Sequence, residues 1–130
     1  MSKERNIEIQ KRWGEEVANN GNVEVLDEIL ADDFYDHDPA PDVTPDREGL
    51  KKFFRSMHAA FPDLQTEVIE MVAADDKVGI RYRVRGTHKG EFMGHPPTGR
   101  TFDVAAMQIA RFEDGKVKER WGLTDQLGML

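Results

Sequence analysis

The feature that most restricts this chain is a change of hydrophobic period at Pro62-Asp63. Before it, apolar residues recur at helical spacing; after it, they alternate as in strands. Ile9, Trp13 and Val17 fall four apart among charged neighbours and predict an amphipathic helix over 4–19, ended by Asn20-Gly21. Asn22 then reads as the cap of a second short helix with Val23, Leu26, Ile29 and Leu30 inward. A short extended piece, 34–38, leads into a loop with three prolines. Thr44-Pro45 is the expected start of a third helix, because proline at the first helical position loses no needed N–H. Leu50, Phe53, Phe54, Met57 and Phe61 form its wide apolar stripe. Beyond Pro62, the segments 64–73, 78–87, 101–112 and 117–124 read as strands, two pairs of them joined by Asp75-Asp76-Lys77 and Glu113-Asp114-Gly115-Lys116 turns. Helices first and strands after predict an α+β fold. About three N-terminal helices then lie on one face of a curved antiparallel sheet. The 88–99 connection is long, but its Phe, Met and prolines read as a packed loop.

At 130 residues the chain is expected to form a single domain, 1–130. Its net charge of −7, with no basic run longer than two residues, argues against nucleic acid and anionic membranes as partners. No cysteine means no disulfide framework, thiolate metal cluster or cysteine nucleophile. No apolar stretch approaches signal-peptide or membrane-span length, so a cytoplasmic protein is expected.

Candidate chemistry concentrates in the last strand. If the 113–116 turn closes the hairpin with Phe112 facing Val117, unbroken alternation sets Gln108 opposite Trp121 and Val104 opposite Asp125. Asp125 then points with Trp121 and Leu123 into an apolar region beneath the helices. There it reads as a general acid or base raised by desolvation; the plainer reading is a solvated strand end. His37, flanked by Asp36 and Asp38, reads either as an oriented acid, base or hydrogen-bond donor or as part of a surface turn. The four histidines show no metal-ligand spacing, and no metal or cofactor is expected. Arg81, Arg83 and Arg85 share one strand face, as an ion-pair ladder or as a subsite for an anionic group. The sheet face opposite the helices, with Met107 and Ile109 beside Arg111 and Arg120, is partly apolar and is expected to meet a second subunit.

Several short motifs carry a resemblance over nearly the whole chain. They are Trp13 with Asn20-Gly21-Asn22; Asp33-Phe34 through His37-Asp38; Ala60-Phe61-Pro62-Asp63; Gly86-Thr87-His88 with Gly90-Glu91-Phe92; Pro96-Pro97-Thr98-Gly99-Arg100; and Asp114-Gly115-Lys116 through Trp121 and Asp125. In these the sequence resembles the SnoaL-like polyketide cyclase, or ester cyclase-like, branch of the NTF2-like superfamily. The resemblance implies an α+β cone around an internal pocket, in a homodimer or higher homo-oligomer. It implies a lyase or isomerase-type cyclase that closes a ring by intramolecular aldol condensation of a small apolar or polyketide-like carbonyl compound, without metal or organic cofactor. It implies Asp125 as acid/base, His37 as its pocket partner, and Trp121 and Gln108 as walls; Trp13, Phe54 and Met57 are further candidate lining residues. The alternatives are a non-catalytic small-molecule binder and a dehydratase or epoxide hydrolase. The last needs an Asp-Arg-Asp cluster, to which Arg81 or Arg83 contributes only if it faces inward.

Overall fold

The computed structural model describes residues 3–92 and 94–125. Helix α1, Lys3–Arg12, runs on without a break into a wider π-helical stretch, Trp13–Asn19. A short 3-10 turn, Val23–Val25, leads into α2, Leu26–Ile29, and strand β1, Leu30–Asp36. Helix α3 is Arg47–Ala60, and four strands follow: β2 Gln65–Ala74, β3 Lys77–Thr87, β4 Thr101–Glu113 and β5 Lys116–Thr124. Among the described residues no helix is long and apolar enough to cross a membrane. Met93, one of the residues behind the packed-loop expectation, lies outside the described residues.

The sheet is open, in the order β1-β5-β4-β3-β2. The β2–β5 strands are antiparallel neighbours, whereas β1 runs parallel to β5, so the sheet is mixed and not wholly antiparallel as expected. Short turns force reversal between β2 and β3 and between β4 and β5, the latter through Asp114 and Gly115, both at positive φ. No turn ties β1 to β5, and β1 enters from the helical layer in the other direction.

Two local expectations shift. Helix α3 starts two residues later than Thr44-Pro45 implies, at Arg47. The Asp46 carboxylate is its cap, accepting from the Gly49 N–H at 2.9 Å and from the Thr44 hydroxyl at 2.6 Å. In the second helical piece Asn22 occupies the cap position, but its side chain makes no capping bond.

The inward stripe of α1 and its π continuation is Asn6, Gln10, Trp13 and Val17, with Ile9 only half-buried. Two amides thus join the apolar residues on the inner face. Two apolar clusters close the fold. One gathers Trp13, Val17, Leu26, Leu30, Leu50, Phe112 and Val117; the other gathers Met57, Phe61, Leu64, Val84, Phe102 and Val104.

Candidate active-site cavity

A cavity of about 530 Å³ takes its wall from both clusters. Its apolar lining includes Trp13, Leu50, Phe54, Met57, Leu64 and Phe92, from the helices, the turn before β2 and the 88–100 loop. The sheet floor is different: Tyr82, Gln108, Arg120 and Thr124 line it, beside Gln10 of α1 and Asp36 and Asp38 at the end of β1. A volume of this size, mostly apolar with a few converging polar groups, suits a small organic molecule.

Register decides which residues reach this floor. On β4 every second residue from Phe102 to Phe112 is buried, as alternation predicts, which sets Gln108 inward. On β5 the expected Phe112–Val117 pair forms, but the next pair is Arg111 with Glu119. Lys118 is therefore an extra residue, a β-bulge. From there Gly122, not Trp121, stands opposite Gln108, and Ala106 pairs with Thr124. One extra residue exchanges the two faces. Arg120, Gly122 and Thr124 turn to the cavity, while Trp121, Leu123 and Asp125 do not line it.

Arg120 organises the floor. Its Nη1 donates to Asp36 Oδ1 at 2.9 Å and to the Asp38 carbonyl at 3.3 Å, and its Nε donates to Gln108 Oε1 at 2.8 Å. Asp36 is 5% exposed at its side chain and Arg120 13%, so this is a largely desolvated ion pair. Asp36 Oδ1 also accepts the Asp38 N–H at 3.0 Å. A guanidinium only donates, which fixes the Gln108 amide: its oxygen faces Arg120 and its Nε2 donates to Gln10 Oε1 at 3.4 Å. Burial pushes the Tyr82 hydroxyl above its ordinary pKa, against the opposing influence of the Arg120 charge and of hydrogen bonds with Thr124 and Arg120. Tyr82 therefore stays protonated at neutral pH and is a standing donor.

Four of the residues expected from sequence, Trp13, Phe54, Met57 and Gln108, come together on the cavity wall. His37, Trp121 and Asp125 do not. His37 stacks on Trp121 with ring centroids 4.6 Å apart, and its Nε2 lies 3.3 Å from Glu119 Oε1. The Glu119 carboxyl is held low chiefly by its hydrogen bond from Arg111. Asp125 is exposed, its N–H donating to the Ala105 carbonyl at 3.1 Å beyond the end of β5.

Arg81, Arg83 and Arg85 form the ladder: Arg81 with Glu70, Arg83 with Asp103, and Arg85 with both Glu67 and Asp103, all exposed. They supply no inward guanidinium. Sequence reasoning missed Arg120, Asp36, Tyr82 and Gln10. Asp36 was within reach, since alternation through Asp36-His37-Asp38 sets the two acids on the face opposite the histidine. For Arg120 the available signal was the run Lys116-Val117-Lys118-Glu119-Arg120, whose charges break strict alternation where the bulge falls. Among the described residues no group of three or more His, Asp and Glu side chains is placed to hold a metal ion.

No curated protein matches this chain closely. Solved structures do. IdmH of Streptomyces antibioticus, described as a candidate polyketide cyclase, is 35% identical with a TM-score of 0.80, over 94% of this chain and 93% of its own. TsrD of Streptomyces laurentii is 26% identical with a TM-score of 0.89, over 99% and 94%. AclR of Streptomyces galilaeus, described as a candidate hydroxylase, is 30% identical with a TM-score of 0.79, over 98% and 91%. The sequence profile of the SnoaL-like polyketide cyclases matches residues 8–130.

Proposed function

Because the chain belongs to the SnoaL-like polyketide cyclase family, we propose that it is a cofactor-independent acid–base enzyme that cyclises a small, mostly apolar carbonyl compound by intramolecular aldol chemistry. The observation that carries this reading is the Arg120–Asp36–Gln108 network, with Tyr82, on the floor of an otherwise apolar cavity. In an aldol cyclisation a base removes a proton from carbon beside one carbonyl. The enolate carbon then bonds to a second carbonyl carbon, and the resulting alkoxide takes up a proton. Arg120 and the protonated Tyr82 are donors aimed at oxygens that gain negative charge, where preorganised dipoles in a dry site have most effect. Asp36 and Asp38, the carboxylates beside Arg120, are the proton acceptors. Trp13, Phe54 and Met57 hold the apolar body of the ligand. In this reading neither Asp125 nor His37 touches substrate.

The test is exchange and closure together. In D2O, a β-polycarbonyl substrate gains deuterium beside its carbonyl and yields the ring product with wild-type protein. Asp36→Asn or Arg120→Met lowers both by about 100-fold or more. Equal rates in wild type and Arg120→Met would sink the reading. Tight binding of the same compound with neither exchange nor product would leave a non-catalytic binding protein.

A second reading draws on Asp36 and Asp38, both on the cavity wall, with Arg120 bonded to the Asp36 carboxylate and to the Asp38 backbone carbonyl. One aspartate, ionised, takes a proton from water as the water oxygen bonds to an epoxide carbon. The other, as the carboxylic acid, gives a proton to the epoxide oxygen as its C–O bond breaks, and Arg120 stabilises whichever of the two is ionised. Incorporation of ¹⁸O from labelled water into a diol selects this reaction over cyclisation. In either case the protein works as a single 1–130 domain in a cytoplasmic homodimer formed through the outer sheet face. There Val72, Met107, Ile109 and Leu123 stand exposed. A monomer in concentrated solution by ultracentrifugation argues against the dimer.

A further inference from the structure

Gly122 lies two residues after Arg120 on β5, so the two occupy successive positions facing the cavity. Its N–H donates to Asp38 Oδ2 at 2.9 Å. Gly122 is not among the glycines with positive φ, so its backbone is one that alanine adopts without strain. Glycine inside a strand weakens it and asks for a reason such as close approach of another group. Here the approaching group is the Arg120 guanidinium. A β-carbon on residue 122 would stand 2.4 Å from Arg120 Nη2 and 2.9 Å from its Cζ, with the Met107 carbonyl at 3.3 Å. The two closest atoms belong to the tip of a flexible side chain. The strand can therefore keep its place while the guanidinium moves.

We propose that Gly122 is a positioning residue: its missing side chain is the space in which Arg120 folds back to meet Asp36, Gln108 and Tyr82. With a methyl group there, Arg120 Nη1 and Nε cannot keep both of their present partners. The effect on catalysis rests on the function proposed above, whereas the placing of Arg120 stands by itself.

The experiment reads Arg120 directly. In ¹⁵N-labelled protein its Nε–H, held at 2.8 Å by Gln108 Oε1, gives a dispersed and slowly exchanging signal, identified by its loss in Arg120→Lys. In Gly122→Ala that signal moves to the position of exposed arginines and loses its protection, and Tm falls because Asp36 is left buried without its partner. An unmoved, still protected signal overturns the proposal. Should Gly122→Ala fail to fold alone, the Arg120→Lys/Gly122→Ala double variant, which lacks the clashing Nη2, folds; failure of both also overturns it. In turnover of the β-polycarbonyl substrate, Gly122→Ala lowers kcat by about tenfold or more in the wild-type background and has little effect in Arg120→Lys. Equal loss in both backgrounds refutes action through Arg120. A wild-type protein that turns over no such compound defeats the proposed function, while the Nε–H signal still decides for or against Gly122.

Discussion

Arg120 and Arg83 stand on opposite faces of one sheet and bond to their partners almost equally well, Arg120 to Asp36 at 2.9 Å and Arg83 to Asp103 at 2.8 Å. Their surroundings differ. The Arg120 side chain is 13% exposed and its partner 5%, against 37% and 48% for the outer pair. On the outer face water and salt screen both charges, and either member can be solvated if the other is lost. On the cavity face a lone survivor is stranded in a medium that solvates it poorly. Similar bond lengths thus conceal different consequences, and only the inner pair can act strongly on a ligand.

The comparison breaks most readily at Asp36. Asp36→Ala strands Arg120, and urea unfolding is expected to show a loss of about 3–5 kcal/mol. A loss under about 1 kcal/mol would mean that the pair behaves as a surface bridge. Replacing both partners, Asp36→Leu with Arg120→Met, recovers much of that stability while activity stays lost. This separates the pair's role in function from any role in folding.

Acid titration is the next test in size. Asp46 is held low by the Thr44 hydroxyl and the Gly49 N–H, Asp63 by Thr87, and Asp103 by hydrogen bonds from Arg83 and Arg85. Their depressed folded values mean that the unfolded chain binds more protons near the ordinary carboxylate range. The stabilisation is complete above that range and is lost as pH falls through the folded values. Tm should therefore be nearly level from about pH 6 to 8 and fall below about pH 4. Asp46→Asn and Asp63→Asn should each make that fall shallower, and unchanged steepness in both variants would refute the assignment.

Smaller still is Arg83→Gln, which should change Tm little at low salt and not measurably at high salt. A salt-independent drop would show that the ladder is more buried in solution than in the single chain, as an interface on that face would make it. Smallest is the effect of Asp125→Asn and His37→Ala on turnover, expected to stay within about twofold of wild type because neither side chain lines the cavity.

Much of the fold was legible. Period and turn chemistry placed β2 to β5 within a residue or so of their observed ends, and β4 presents Gln108 inward as alternation requires. These are local properties: side-chain direction in an unbroken strand follows from counting by two. The apolar stripe of α3 likewise brought Phe54 and Met57 to the cavity. What counting could not supply was the bulge at Lys118, because an extra residue is stabilised by its partners on neighbouring strands and not by its own identity. That residue carried Trp121 and Asp125 off the cavity floor and brought Arg120 onto it. The parallel pairing of β1 was hidden for a similar reason, since no turn links it to β5.

From the sequence alone came the order of helices and strands, the family resemblance and the apolar half of the cavity, all encoded in periodicity and in motifs along the chain. Of the polar half, alternation on β4 supplied Gln108, and tertiary structure alone decided the rest and the partners that Gln108 meets. Arg120, Asp36, Gln108 and Gln10 lie far apart in the chain, and a charge enters a cavity only where distant partners compensate its desolvation. Whether residue 120 or 121 faces inward was settled by the partner strands, through the single extra residue at Lys118.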